Sequence, residues 1–122
     1  GNAVLVNTDF AKENPQAVKG FLKALAKGFA DAVKNPEEGV AAVLKRNETL
    51  NPDIELQRLN MANSMNIKTP YVIENGMGGV DPARLAASME TLKVSIGLKG
   101  NVKAEQVFDA SYLPPKEERM LP

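Results

Sequence analysis

Four dipeptides divide this 122-residue chain: Asn14–Pro15, Asn35–Pro36, Asn51–Pro52 and Asp81–Pro82. Proline has no backbone N–H and a φ fixed near −65°, so it suits the first position of a helix and breaks one further in. An Asn or Asp just ahead of it offers a side-chain oxygen to a free N–H of the first turn. The four dipeptides therefore predict four helix starts. A fifth, shorter turn is expected after Thr8, over Asp9–Glu13.

Hydrophobic spacing fills in the intervals. Over Pro15–Lys34, the residues Val18, Phe21, Leu22, Leu25, Phe29, Ala32 and Val33 fall within roughly a 120° arc, one apolar face of a helix. Lys19, Lys23 and Lys27 stand opposite at i, i+4 spacing, which reads as a solvated face, with a docking stripe as the functional alternative. The second helix, Pro36–Arg46, carries Glu38 three residues after Asn35, as in a capping box, and a patch of Val40, Val43 and Leu44. It should pack beside the first as a helical hairpin. The third, Pro52–Met65, has Ile54, Met61 and Met65 on one side and Leu56 and Leu59 on the other, so it needs cover twice. That cover comes either from neighbours in the same domain or from a further lobe or protein. A fourth helix, Pro82–Ile96, aligns Leu85, Met89, Leu92 and Ile96 and is ended by Gly97 and Gly100. A short turn around Ala104–Phe108 and an anchor of Phe108, Tyr112 and Leu113 follow, with a loose tail expected beyond Pro115.

Between the third and fourth helices lies ENGMGGVDPARL, whose Gly76, Gly78 and Gly79 raise the question of a phosphate cradle. Pro82 has no N–H to give an anion, and Asp81 puts a carboxylate where the phosphate would sit. No buried strand leads into the glycines either, since only Tyr71–Ile73 stands between Pro70 and Asn75. The loop reads as a turn needing positive φ, followed by an Asp cap.

Composition narrows the chemistry. With 15 basic and 15 acidic residues, no bulk field draws the chain to nucleic acid, and its four Phe and two Tyr form no stacking platform. Without cysteine or histidine it lacks thiolate chemistry, imidazole bases and the usual soft metal sites. Met61, Met65 and Met77 could serve a soft cation, but core filling is their ordinary use. The acidic pairs Glu37–Glu38 and Glu117–Glu118 form no acid/base couple, so neither a catalytic residue nor a cofactor is assigned. No apolar run reaches the ~20 residues of a membrane-spanning helix. Ala3–Val6 reads as a short buried strand, yet no second strand is available to pair with it. The expectation is a mainly α C-terminal portion of a larger α/β protein.

Read in order, GNAVLVNTDFAKENPQAVKGFLKALAKGFADAVKNPEEGVAAVLKRN, GMGGVDPARL and VFDASYLP resemble the C-terminal part of ABC-transporter substrate-binding proteins. The group is the nitrate, sulfonate, taurine and pyrimidine-precursor (thiamine-precursor-like) family. The resemblance covers residues 1–113, leaving 114–122 as a tail. It implies the type II periplasmic-binding architecture, two α/β lobes closing on a ligand, with Asn2–Asn7 near the crossover between them.

On that resemblance the chain is a non-enzymatic, periplasmic or otherwise extracytoplasmic solute receptor. Its partners are a small polar solute, an ABC permease and the missing N-terminal part of the same protein. Asn2, beside the crossover, and Asn75, in the glycine loop, have amides able to hydrogen-bond a polar ligand, although Asn serves turns and caps in the same positions. Two alternatives stand beside this reading: a pyrimidine-precursor biosynthetic enzyme of the same fold, and a helical protein-interaction module.

Overall fold

The computed structural model describes residues 3–97, 99–100 and 102–122. The chain is mainly helical, and the prolines set the starts. Helix α1 spans Thr8–Glu13, α2 Pro15–Lys34, α3 Pro36–Leu44, α4 Pro52–Ala62, α5 Pro70–Asn75, α6 Pro82–Ser95 and α7 Ala104–Val107. A π-helical turn, Asn63–Ile67, extends α4, and 3₁₀ turns cover Ala110–Tyr112 and Lys116–Arg119. Helix α5 was not expected from the sequence, although Thr69–Pro70 carries the same signal as the other starts. Thr69 Oγ1 accepts from the N–H of Val72 at 3.3 Å, and Pro70 stands first in the helix.

The caps divide by geometry. Asn7, Asn51, Thr69 and Asp81 have ψ between 119° and 156°, and each accepts a first-turn N–H. The side chains of Asn14 and Asn35, whose ψ is 53° and 78°, accept none. Each of these two also ends the preceding helix, donating its own N–H to Phe10 O or Asp31 O. A residue held in that closing geometry does not reach the extended backbone that aims a capping oxygen. The expected caps at Asn14 and Asn35, and the capping box with Glu38, are thus not formed.

Helix α2 is the hub. Helices α1 and α3 pack on it, as do both 3₁₀ turns near the C-terminus, and α3 packs in turn on α4. The hairpin of α2 and α3 is close: a Cβ on Gly39 would lie 3.4 Å from Ala32 Cβ and 3.3 Å from Leu59 Cδ2. The buried apolar residues are Ala11, Val18, Ala26, Val40 and Met89, mostly small.

Much of the expected core is open. The strand expected over Ala3–Val6 is absent, and this segment lies extended and exposed, with Leu5 93% accessible. A strand exists only through hydrogen bonds to a neighbour, and among the described residues there is none to pair with. Phe21 on α2, Ile54, Met61 and Met65 around α4, and Leu92 and Ile96 on or beside α6 are also exposed. The total accessible surface is 9254 Å² for 13.1 kDa. A compact monomer of that mass presents about 6,400 Å², so roughly 2,900 Å² is in excess. The helices thus leave much apolar surface uncovered.

The tail corrects another expectation. The residues after Pro115 form a 3₁₀ turn against α2, and Lys23 Nζ lies 2.7 Å from Glu118 Oε2. One of the three lysines on the polar face of α2 is therefore engaged within the chain.

Candidate functional site

The glycine loop is built by its neighbours. Helix α5 stops at Asn75 because Gly76 takes φ +77°, and Gly78 at φ +83° turns the chain again towards α6. Asp81 then accepts from the N–H of Arg84 at 2.9 Å, with Pro82 in the first helical position. The carboxylate thus occupies the first turn of α6, as the argument against a phosphate cradle required. The N–H of Met77 is also spent, donating to Arg119 O at 2.8 Å.

Arg119 organises the loop from the far end of the sequence. Its Nη1 donates to Asn75 O at 3.1 Å and to Met77 O at 2.8 Å, and its Nε donates to Pro114 O at 3.1 Å. Sequence reasoning missed this residue. The signal available was indirect: glycines at positive φ turn carbonyls out of any helix, and such carbonyls need a donor.

The two candidate binding residues have different fates. Asn2 lies outside the described residues. Asn75 is half-buried as the last residue of α5, and its Nδ2 donates to Tyr71 O at 3.1 Å. Its donor is turned back onto its own helix.

Two shallow grooves flank α4. One, of about 370 Å³, runs between α2 and α4 and is lined by Leu25, Phe29, Ala32, Leu59, Asn63 and Ile67 among others. The second, of about 390 Å³, continues it past Val40 and Val43 to the Glu55–Arg58 ion pair, 3.1 Å long. Apart from the buried Asn63 the first groove is apolar, so it suits burial of side chains rather than bond-making chemistry. Among the described residues no cluster of three or more acidic side chains could hold a metal ion. No helix formed by them is long and apolar enough to cross a membrane.

The closing segment holds a perturbed carboxyl. Hydrogen bonds from Ser111, through its side chain and its backbone, hold the Asp109 carboxyl below the ordinary aspartate value. The backbone N–H of Ser111 reaches Asp109 Oδ1 at 2.9 Å and caps the 3₁₀ turn at Ala110–Tyr112.

Comparison with known proteins defines a class first. Residues 1–39 match the model of the family described as NMT1/THI5 like, the stretch from the exposed N-terminal segment through α2 to the start of α3. A particular relative is the riboflavin-binding protein RibY of Chloroflexus aurantiacus, 25% identical over 115 residues. The alignment takes in 93% of this chain and 33% of that protein, so the chain spans about a third of the length of the curated relative it matches. No solved structure matches. Both matches fit a substrate-binding protein of the NMT1/THI5-like family. The resemblance drawn from the sequence is borne out at that level.

Proposed function

We propose that this chain is the C-terminal portion of a two-lobed, extracytoplasmic solute receptor that delivers its ligand to an ABC permease. The observation that carries the reading is the joint match: a substrate-binding family over residues 1–39 and a ligand-binding relative over nearly the whole chain. The fold adds independent support. A set of helices with about 2,900 Å² of excess surface and an exposed apolar segment at Ala3–Val6 is what one side of an α/β lobe presents before its sheet is in place.

On this reading Ala3–Val6 joins a sheet formed by the rest of the polypeptide, and the apolar sides of α4 and α6 are covered by the same body. The ligand is a small polar solute held between lobes. The relative's riboflavin adds a flavin to the sulfonates, nitrate, taurine and pyrimidines implied by the family.

Isothermal titration of the full-length protein with riboflavin, flavin mononucleotide, taurine, nitrate and a thiamine-type pyrimidine tests this. Saturable one-to-one heat with one of these is expected. Silence across the whole panel would remove the receptor reading, and a lysine-linked chromophore in the purified protein would replace it with the biosynthetic one.

A further inference from the structure

Helix α5 ends in carbonyls that its own backbone cannot satisfy, and the glycine loop turns one of them, Asn75 O, together with the loop carbonyl Met77 O, towards a single nitrogen of Arg119. The guanidinium has no carboxylate in ion-pair range among the described residues, so its charge faces the negative end of α5. The exchange runs both ways, since Arg119 O accepts from Met77. The fit is close as well: a Cβ on Gly76 would lie 3.2 Å from Arg119 Cγ and 3.3 Å from Arg119 O.

Residues 114–122 pack on α2 through the Lys116–Arg119 turn, and the ion pair in that contact, Lys23–Glu118, has side chains 63% and 41% exposed. An exposed pair of this kind adds little. The single 3₁₀ turn Lys116–Arg119 has no intrinsic stability apart from its packing, and Pro114–Pro115 sever it from the preceding turn. Behind the prolines the chain is anchored again, with Tyr112 Oη donating to Ala11 O at 3.4 Å.

We propose that residues 114–122 are a strap that opens as a unit from an anchored base at Tyr112, with Arg119 as the latch that holds the glycine loop. Release removes three interactions from the loop together: the two bonds donated by Nη1 and the bond from Met77 N–H. The loop therefore has two states, latched and free, and the end of α5 that carries Asn75 is fixed only in the first. This holds whether or not the receptor reading is correct, because every contact lies within the chain.

Residue-resolved amide hydrogen exchange on the whole chain tests the strap. The Met77 N–H, bonded to Arg119 O, and the Glu118 N–H, bonded to Pro115 O, are expected to exchange in one opening event, well ahead of Leu25 in the middle of α2. Arg119→Ala should speed Met77 exchange by about tenfold or more while leaving Leu25 within about twofold. Arg119→Lys should recover only part of the protection, because an ammonium lacks the fork that reaches Asn75 O, Met77 O and Pro114 O together. Unchanged protection of Met77 in Arg119→Ala would overturn the proposal, as would equal loss at Met77 and Leu25. Should Arg119→Ala fail to fold, the unmodified chain decides: Met77 exchanging only with Leu25 refutes the strap, and Met77 exchanging early with Glu118 supports it.

Discussion

The same residue type in the same dipeptide does different work at different positions. The Asn51 side chain accepts from the N–H groups of Asp53 and Ile54 at 3.0 and 3.1 Å, whereas the Asn35 side chain accepts none because its backbone is closing α2. Replacement of Asn51 by Ala should therefore cost about 1 kcal/mol, and the same change at Asn35 only a few tenths, as read from denaturant midpoints. Equal losses would contradict the geometric division of the caps. A second residue-scale expectation concerns acid. The folded pKa of Asp109 lies below its unfolded value, so its contribution is present above the unfolded value and is lost as pH falls through the folded one. Because the carboxylate is exposed, the effect is small. It is best seen by carboxyl NMR, where Asp109 should titrate below the ordinary aspartate value, and Ser111→Ala should bring its titration up by removing the side-chain bond.

At the scale of elements, helix starts were the most legible feature, because a cap followed by proline acts through covalent geometry that no distant contact overrides. The starts at Pro15, Pro36, Pro52 and Pro82 are all found. Helix α5 is harder to read, because only Tyr71–Ile73 stands between Pro70 and Asn75, too short a run for apolar spacing, although Thr69 caps as Asn does. The ends were less legible: α4 gives way at Ala62 to the π turn, where Lys68 N–H reaches back to Asn63 O at 2.8 Å, a change of ladder that apolar spacing does not encode. The candidate site was hardly legible, since Arg119 acts on a loop 42 positions earlier through backbone carbonyls, which no side-chain pattern announces. A helical glycine offers a clean test of the element-level account. Gly20 lies inside α2 with nothing within 4 Å of an added Cβ. Gly20→Ala should therefore stabilise the chain by about 0.5–1 kcal/mol through helix propensity alone. A loss of stability, measured by chemical denaturation, would mean that the outer face of α2 is in contact after all.

For the molecule as a whole, surface area governs behaviour. An unfolded chain of 13.1 kDa exposes about 19,000 Å², so folding to 9254 Å² buries roughly half of it, where a compact domain of this size buries about two-thirds. The missing burial is concentrated in apolar side chains, with Leu5, Val94, Ile96 and Met65 each more than two-thirds exposed. Because the denaturant m-value scales with the area exposed on unfolding, the 122-residue chain should unfold with a slope about a quarter below that of a compact domain of equal length. It should also bind a hydrophobic dye in its folded state, since so many exposed large apolar side chains are unusual for a monomer. Both signals have one origin in the proposed architecture, so both should vanish together when residues 1–122 are followed within the full-length receptor, by exchange protection of Val4–Val6 and by loss of dye binding. A slope already normal for the isolated length, with Leu5 protected from exchange, would mean that the helices close on themselves in solution, leaving no uncovered side for a sheet to occupy.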